Sequence, residues 1–325
     1  MHIFVTGGAG YIGSICVEQL LNAGHAVTVF DNLTEGHRGA VDGRAELIVG
    51  DLQERCDIED AMEKAKPEAV MHFAANALVG ESMTNPSKYF RNNFGGGMNL
   101  LDAMVGVGCK RIVFSSTCAT FGIPEKVPID ELLPQRPINP YGESKLMFEK
   151  ALRWYDEIHG VKFVALRYFN AAGASEWFGE DHRIETHLIP NVLRVALGQK
   201  SHVEIYGTDY PTPDGTCIRD YIHILDLAQA HMLALNAERS AFYNLGTGGG
   251  TSVREIIDAC ERVSGKKIAV QEKPRRPGDP PRLIAGSEKA RTELGWKPKF
   301  TDIGEIVRSA WAWHVAHPKG YGDVG

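Results

Sequence analysis

The sequence predicts a doubly wound α/β fold, in which helices cover both faces of a parallel sheet and a smaller C-terminal lobe is interleaved with it. Short runs rich in Val, Ile and Phe alternate with helical patterns through the first half of the chain. These runs are almost continuously apolar, as expected of strands that are covered on both faces. Alternating strands and helices of this kind build a parallel sheet through right-handed crossovers.

The elements follow in order along the chain. Strands are predicted at residues 2–6, 26–30, 46–50, 69–73, 111–116 and 162–168, and helices at 11–23, 57–65, 86–107 and 140–159. After Gly173 the pieces become shorter. Helices are predicted at 187–198, 252–264, 288–294 and 302–316, and a further strand at the segment FYNLG. We therefore expect a sheet domain at 1–172, to which 223–250 returns, and a smaller lobe made of 173–222 and 251–325.

Composition excludes several functional classes. The 325 residues are 43% hydrophobic and carry a formal net charge of −6, which gives no electrostatic reason for nucleic acid or an anionic membrane as partner. No apolar run is long enough to span a bilayer, and the first residues lack a secretory leader, so we expect a cytoplasmic protein. The six cysteines are scattered without a CxxC pair, which favours reduced thiols. His314 and His317 share a helical spacing without a third ligand nearby, so we expect no metal site.

A glycine-rich turn joins the first strand to the first helix. The segment VTGGAGYIGS places Gly7, Gly10 and Gly13 where a dinucleotide-binding Rossmann fold needs a tight turn, close approach to a pyrophosphate and close helix packing. Asp31 ends the second strand, where a carboxylate accepts hydrogen bonds from a ribose and repels a 2′-phosphate. The sequence therefore predicts NAD as the cofactor, in preference to NADP, and residues 1–172 as its binding domain.

Two further strands are predicted to end at the edge of the sheet where the glycine-rich turn lies. Asp51 and Leu52 follow the third strand, where Asp51 would reach the adenine unless it caps the next helix instead. The segment HFAA at 72–75 ends the fourth strand with small residues that leave room for a cofactor. A second glycine cluster at 244–255 contains Ser252 and Glu255 in the spacing of a capping box, so we interpret it as a helix start and not as a second nucleotide site.

The segment NPYGESK carries the predicted catalytic pair. Tyr141 and Lys145 are four residues apart and share one face of the helix at 140–159. A phenol has a pKa near ~10, and a neighbouring ammonium together with a cationic nicotinamide would favour the phenolate as a general base. Thr117, at the end of the fifth strand, would hydrogen-bond the reacting oxygen.

These motifs form part of a longer pattern. Further matches are DNL at 31–33, VGES at 79–82, LRYFN at 166–170, YGTDYPTPDGT at 206–216, RDYIHILDLA at 219–228 and RRPGD at 275–279. With them the chain resembles the extended short-chain dehydrogenase/reductases, and among these the nucleotide-sugar 4-epimerases that act on UDP-glucose and UDP-galactose. The resemblance implies inversion at C4 of a UDP-sugar through a transient 4-keto sugar, with NAD retained and recycled.

The resemblance also implies a set of site residues. The implied catalytic residues are Thr117, Tyr141 and Lys145. The cofactor contacts from motif and resemblance together are Gly7, Gly10, Tyr11, Ile12, Gly13, Asp31, Asn32, Asp51, Leu52, Phe73, Ala74, Ala75, Asn93, Ser115, Tyr141, Lys145 and Tyr168. The implied substrate contacts are Thr117, Tyr141, Asn170, His187, Leu188, Tyr206, Arg219, Arg276 and Asp279. The family's dimer interface corresponds to helices 86–107 and 140–159, which implies a homodimer.

Some positions depart from the family pattern. Ala77 stands where relatives often carry a lysine, and Thr117 replaces a common serine while keeping the hydroxyl. No Asp-Glu pair follows Thr117, which disfavours a dehydratase. Leu283 occupies a position where some relatives have a tyrosine that crowds the sugar, so N-acetylated sugars could also enter. A 4-epimerase of UDP-GlcNAc, UDP-glucuronate or UDP-xylose, and a non-catalytic NAD-binding regulator, remain alternatives.

Overall fold

The computed structural model describes residues 1–276 and 278–322, and within these ranges the elements follow the predicted order closely. The strands are β1 (His2–Thr6), β2 (Ala26–Asp31), β3 (Glu46–Val49), β4 (Ala69–His72), β5 (Arg111–Thr117), β6 (Lys162–Tyr168), β7 (Asn170–Ala172), β8 (Val203–Tyr206), β9 (Ile218–Arg219), β10 (Tyr221–His223), β11 (Ala241–Leu245), β12 (Thr251–Ser252), β13 (Val270–Lys273) and β14 (Arg282–Leu283). The helices are α1 (Tyr11–Asn22), α2 (Arg55–Ala65), α3 (Val79–Ser82), α4 (Pro86–Tyr89), α5 (Gly97–Val107), α6 (Pro140–His159), α7 (Leu188–Ala196), α8 (Ile224–Ala234), α9 (Val253–Ser264), α10 (Glu288–Glu293) and α11 (Ile303–Ala316). Each element predicted from the apolar pattern is present, with ends that differ by a few residues at most, apart from the interruption of 86–107 described below.

Seven strands form one parallel sheet in the order β11-β6-β5-β4-β1-β2-β3. The order reverses at β1, where β1 pairs with β2 on one side and β4 on the other. Two apolar clusters pack on its faces, one containing residues of α1 and α8 and the other containing residues of α2, α5 and α6. The doubly wound fold predicted from the sequence is thereby confirmed. The carboxyl ends of the strands meet at one edge, where ligands bind in folds of this type.

The remaining strands belong to three small sheets, which the sequence pattern did not reveal. They are β10-β7, β12-β9-β14 and β13-β8. A third apolar cluster, with residues of α7, α9 and α11, lies beside them. Ser252 and Glu255 form the predicted capping box at the start of α9, so that prediction is confirmed. The division into a sheet domain and a smaller lobe at the stated boundaries stays a prediction.

The predicted helix at 86–107 is interrupted by a π-helical segment at Phe90–Gly96. The glycines at its end and at the start of α5 lie against close neighbours: a Cβ on Gly96 would be 2.9 Å from Leu52 Cβ, and one on Gly97 would be 2.6 Å from the Phe148 ring. Such π-bulges often occur at functional sites. Here the segment brings Asn93 to the edge of the sheet.

No helix in the described part of the chain is long and apolar enough to cross a membrane. All six cysteines are free, in agreement with the sequence prediction of thiols.

Candidate active site

The glycine turn between β1 and α1 is built for close approach. Gly7 has φ +73°, and a Cβ there would lie 2.4 Å from the Ala74 backbone nitrogen. A Cβ on Gly13 would lie 2.1 Å from the Gly7 carbonyl oxygen, whereas one on Gly10 would meet nothing nearer than 3.4 Å. Packing therefore requires glycine at positions 7 and 13. Gly10, the N-cap of α1, has no side chain to cap the helix, which leaves its N-terminus available to an anion.

One cleft at this edge of the sheet collects most of the predicted cofactor residues. It is lined by Gly7, Gly10, Asp31, Asn32, Asp51, Leu52, Phe73, Ala74 and Ala75. Asn76 and Asn92 also line it, although the sequence analysis did not single them out. The cleft follows the ends of β1, β2, β3 and β4, so residues up to 85 positions apart in the chain lie along one path.

Two carboxylates are fixed along this cleft. Asp31 accepts hydrogen bonds from the backbone nitrogens of Ala9 at 3.0 Å and Leu33 at 2.8 Å. Its burial raises the pKa of its carboxyl, and these hydrogen bonds oppose the shift. Asp51 accepts from Asn32 Nδ2 at 3.0 Å. The alternative that Asp51 caps a helix is wrong, since Glu54 occupies the N-cap of α2.

Asn93 holds the wall of the cleft in place. Its Oδ1 accepts from the Asn76 backbone nitrogen at 2.8 Å, and its Nδ2 donates to the Asn76 carbonyl at 3.0 Å and to Ser144 Oγ at 3.1 Å. The side chain is only 2% exposed. In this geometry Asn93 positions Asn76, which itself lines the cleft.

The predicted catalytic side chains come together beside β5. Asn139 caps α6 by accepting from the Gly142 backbone nitrogen at 2.8 Å, which begins the helix just before Tyr141. Lys145, one turn later, donates from Nζ to the Ser115 carbonyl at 2.9 Å. The hydroxyl of Thr117 is close enough to the phenol of Tyr141 to lower its pKa. Thus β5 and α6 place all three side chains at the same strand end.

Burial dominates the proton affinities of the Tyr–Lys pair. It raises the pKa of Tyr141 to about 12, and the hydroxyl of Thr117 opposes this shift. It lowers the pKa of Lys145 to about 7, while the negative charge of Glu149 opposes that shift. The motif predicts that Lys145 lowers the pKa of the phenol, but in the protein the loss of hydration raises this pKa, and the opposing contribution comes from Thr117. Additional positive charge in the cleft would favour the phenolate.

A buried ion pair between Arg167 and Glu149 lies beside the segments that carry Thr117 and Lys145. Arg167 donates two hydrogen bonds to Glu149, at 2.8 and 2.7 Å, and Ser116 Oγ donates to the same carboxylate at 2.6 Å. Glu149 and Arg167 are 1% and 2% exposed. Glu149 lies one turn after Lys145, and Ser116 precedes Thr117, so the ion pair braces both elements that carry the predicted catalytic residues. The sequence analysis missed it, because a Glu on a helix and an Arg in a strand carry no local signal of contact.

Other predicted residues lie close by. Tyr168 pairs in register with Thr117, and its hydroxyl forms a short hydrogen bond with Ser115 Oγ. The Tyr11 hydroxyl donates to the Gly173 carbonyl at 2.6 Å, and Ile12 packs against the apolar cluster that includes α1.

The predicted substrate residues form two linked pairs in the smaller sheets. Arg219 makes an ion pair with Asp279, and the Arg276 guanidinium lies 4.0 Å from the centre of the Tyr206 ring. Burial raises the pKa of the Cys118 thiol to about 12, and the nearby Arg219 charge opposes that shift.

Three substrate predictions have different surroundings. Asn170 lies in β7 beside β10, with its backbone nitrogen bonded to the Asp220 carbonyl at 3.0 Å. Leu188 begins α7 and packs against the apolar cluster of the smaller sheets. The ring of His187 contacts Glu180 and Glu185, two acidic residues that the sequence analysis did not consider.

A second, wider depression lies elsewhere, between residues 33–37, 181–183 and 313–322. Thr117, Tyr141 and Lys145 line neither this depression nor the cleft along the glycine turn. The cleft is the better candidate for the active site because Asn93 bonds both Asn76, which lines it, and Ser144, which precedes Lys145 on α6.

Comparison with known proteins decides the family. Residues 3–246 match the model of the NAD dependent epimerase/dehydratase family. The chain belongs to this family. Its resemblance to the extended short-chain dehydrogenase/reductases, inferred from the motifs, is thereby confirmed.

Relatives in the NAD dependent epimerase/dehydratase family match over nearly the whole chain. A UDP-glucose 4-epimerase of Lacticaseibacillus casei is 53% identical over 329 aligned positions, covering 99% of both chains. The solved structure of UDP-glucose 4-epimerase from Brucella ovis in complex with NAD is 46% identical, with a TM-score of 0.93 over 96% of this chain and 98% of that one. The enzyme from Bifidobacterium longum in complex with NAD+ and UDP is 38% identical, with a TM-score of 0.94 over 98% of this chain and 100% of that one.

Proposed function

We propose that the protein is an NAD-dependent 4-epimerase that interconverts UDP-glucose and UDP-galactose. The observation that carries the proposal is the convergence of Thr117, Tyr141 and Lys145 at the end of β5, beside the cleft of the glycine turn. The full-length identity of 53% to a UDP-glucose 4-epimerase supports the same activity. A non-catalytic regulator would have no need of all three side chains in this arrangement.

The cleft fits the proposed cofactor. The turn leaves no room for a Cβ at Gly7 or Gly13, while the N-terminus of α1 opens at Gly10 toward a pyrophosphate. Asp31 has two further lone pairs for ribose hydroxyls beyond its two backbone hydrogen bonds. Bound NAD+ would accept the hydride from C4 of the sugar and supply it again to the opposite face.

The chain's own residues then move the proton. Tyr141, as the phenolate, takes the proton from the sugar 4-hydroxyl, and Thr117 hydrogen-bonds the same oxygen and holds it against the phenol. A 4-keto sugar results. When the opposite face of the sugar is presented, Tyr141 returns the proton to the oxygen and C4 is inverted. Lys145 supplies positive charge beside the phenol, in a site where burial disfavours every charged form.

The other end of the substrate must stay anchored while the sugar turns. Arg219 and Arg276 have forked donors that suit a diphosphate, and their carboxylate and aromatic partners pre-orient them. Tyr206 offers a ring on which uracil can stack. Asn170 begins β7, just after β6 ends at Tyr168, and offers a side-chain amide to the diphosphate.

Substrate breadth depends on Leu283. It packs with Cys118 against the cluster of Phe121, Ile129, Phe169 and Ala285, next to the catalytic threonine. A leucine is smaller than the tyrosine found at this position in some relatives. We therefore extend the proposal to UDP-GlcNAc and UDP-GalNAc as additional substrates.

A homodimer is part of the proposal. The face of α6 turned away from the sheet exposes Trp154 by 60% and Ile158 by 67%. Large exposed apolar side chains on one helix commonly mark a protein interface. Light scattering of the purified protein would give the mass of two chains, whereas the mass of one chain would refute it. Residence in the cytoplasm is proposed as well, on the basis of the free thiols.

The test of function is conversion of UDP-galactose by purified protein without added NAD, with UDP-glucose as the readout. We expect turnover, and release of about one NAD per chain on denaturation. Tyr141→Phe should lower the rate by roughly 10²- to 10⁴-fold, the usual contribution of a general base. Tyr155→Phe is the matched control, since it is the same change on the same helix, with its hydroxyl bonded to Asp102.

No conversion after NAD is supplied would refute the assigned substrate, and UDP-glucuronate would be tried next. An active Tyr141→Phe variant would refute the assigned base.

A further inference from the structure

Four potential metal ligands lie together in the segment that joins β7 to α7. Glu180, His182, Glu185 and His187 each place a ligand atom within 4.8 Å of those of the others. This cluster differs from the pair of His314 and His317, whose spacing predicts no metal site. The spacing Glu-x-His-x-x-Glu-x-His was not singled out, because the residues follow no helical or strand period.

The two carboxylates of this cluster are buried, and one of them is incompletely bonded. The side chains of Glu180 and Glu185 are 5% and 0% exposed. Among the described residues, Glu185 Oε2 is buried without a hydrogen-bond partner, and Glu180 Oε1 is contacted by the imidazoles of His187 at 2.7 Å and His182 at 3.3 Å. Two buried carboxylates require compensating positive charge, and an unmet buried lone pair is costly. The unpaired atom is on one of the side chains that form the cluster.

The distances between ligand atoms suit a tetrahedral ion. Zinc lies about 2.0–2.2 Å from imidazole nitrogen and carboxylate oxygen, which makes a tetrahedral edge of about 3.4 Å. His182 Nε2 lies 3.3 Å from Glu180 Oε1, and His187 Nδ1 lies 3.3 Å from Glu185 Oε1. The contact of His187 Nδ1 with Glu180 Oε1, at 2.7 Å, is shorter and would open as the ion enters.

We propose that these four residues bind one Zn²⁺ ion as a structural site. Two neutral imidazoles and two carboxylates satisfy the usual coordination number of zinc and balance its charge. All four ligands come from residues 180–187, so the ion would fold this segment into one conformation.

The position of the segment gives the ion a role. The His182 ring meets the Tyr11 ring edge-on at 6.1 Å between centroids, and Tyr11 hydrogen-bonds Gly173. The same segment leads directly into α7 at Leu188. A bound ion would therefore brace the glycine turn against the start of α7.

The test is metal uptake by the full chain after dialysis against a chelator and then against metal-free buffer. Equilibrium dialysis with Zn²⁺ should give one ion per chain, and the melting temperature should rise when Zn²⁺ is added. Glu180→Gln and His187→Asn should each weaken binding by more than the roughly 10- to 100-fold that outer-shell changes cost. Glu176→Gln, an exposed residue of the same loop, is the matched control and should bind as the parent does.

Cobalt provides a second readout. Co²⁺ in the site should show the visible bands of a four-coordinate ion without thiolate charge transfer, because no cysteine belongs to the cluster. Absence of zinc uptake would overturn the proposal. So would uptake that is unchanged in both ligand variants, or a cobalt spectrum with thiolate bands, since each would place the ion elsewhere. These outcomes are independent of epimerase activity.

Discussion

The buried pair of Glu149 and Arg167 offers a sharp test of how the catalytic group is supported. Glu149→Gln keeps the size of the side chain but removes its charge, and leaves the guanidinium of Arg167 buried without a counter-ion. The carboxylate now accepts two hydrogen bonds from Arg167, one from Ser116 and one from Gln135. Breaking such a pair by removing one partner costs about 3–5 kcal/mol.

The loss can be converted into a melting temperature. An unfolding entropy of about 2.1 cal/mol/K per residue gives roughly 0.7 kcal/mol/K for 325 residues. A loss of about 3–5 kcal/mol should therefore lower Tm by about 4–7 °C in scanning calorimetry. Glu157→Gln, the same change at an exposed position of α6, should alter the free energy of unfolding by less than about 0.5 kcal/mol.

The double variant Glu149→Leu with Arg167→Met removes both charges and keeps apolar side chains in their place. It therefore distinguishes the effect of an unbalanced charge on Tm from the effect of lost packing. Replacing both partners by apolar residues of similar size is often neutral, so its Tm should exceed that of Glu149→Gln. If Glu149→Gln had the same Tm as the Glu157→Gln control, the reasoning would be refuted, because Glu149 would then not compensate the buried charge of Arg167.

Three further predictions follow from the site. Lys145 has a folded-state pKa of about 7 against an ordinary value of 10.5. Between these values the unfolded chain binds one proton more, so stability should rise with pH by up to about 1.4 kcal/mol per unit. In Lys145→Met, the free energy of unfolding measured in urea should rise less steeply between pH 7 and 9 than in the parent protein. An unchanged dependence on pH would contradict the lowered pKa of Lys145. Arg219→Lys keeps the charge but loses the fork toward the diphosphate, so KM for UDP-glucose should rise roughly 10- to 100-fold, and steady-state kinetics showing a fall in kcat alone would count against an anchoring role. Leu283→Tyr should reduce kcat/KM for UDP-GlcNAc more than kcat/KM for UDP-glucose, by a difference in activation free energy of about 1–3 kcal/mol. Equal effects on the two substrates would refute a role of Leu283 in discriminating between them.

Much of the fold follows from local patterns. The apolar runs of β1 to β6 and the helices between them are visible because both faces of a parallel sheet are buried, which leaves a continuous signal. The glycine turn and the Tyr141–Lys145 spacing are also local, since one turn of helix sets the distance between the two side chains. Asn139 and Pro140 mark the start of α6 for the same reason.

Tertiary structure decided what depends on distant partners. The π-helical turn that brings Asn93 to Asn76 arises where glycines pack against Leu52 and Phe148. The raised pKa of Tyr141 results from burial, which no spacing between residues reveals.

The sequence by itself determined the strands and helices of the sheet domain, the glycine turn and the Tyr141–Lys145 pair, because each depends on neighbours within a few positions of the chain. Only the tertiary structure decided that Arg167 neutralises Glu149, that Arg219 pairs with Asp279 and that the two acidic and two histidine side chains of residues 180–187 converge. The physical reason is the same in each case. Charge balance, burial and ligand geometry are properties of the folded surroundings of a side chain, and the chain brings those surroundings together only when it folds.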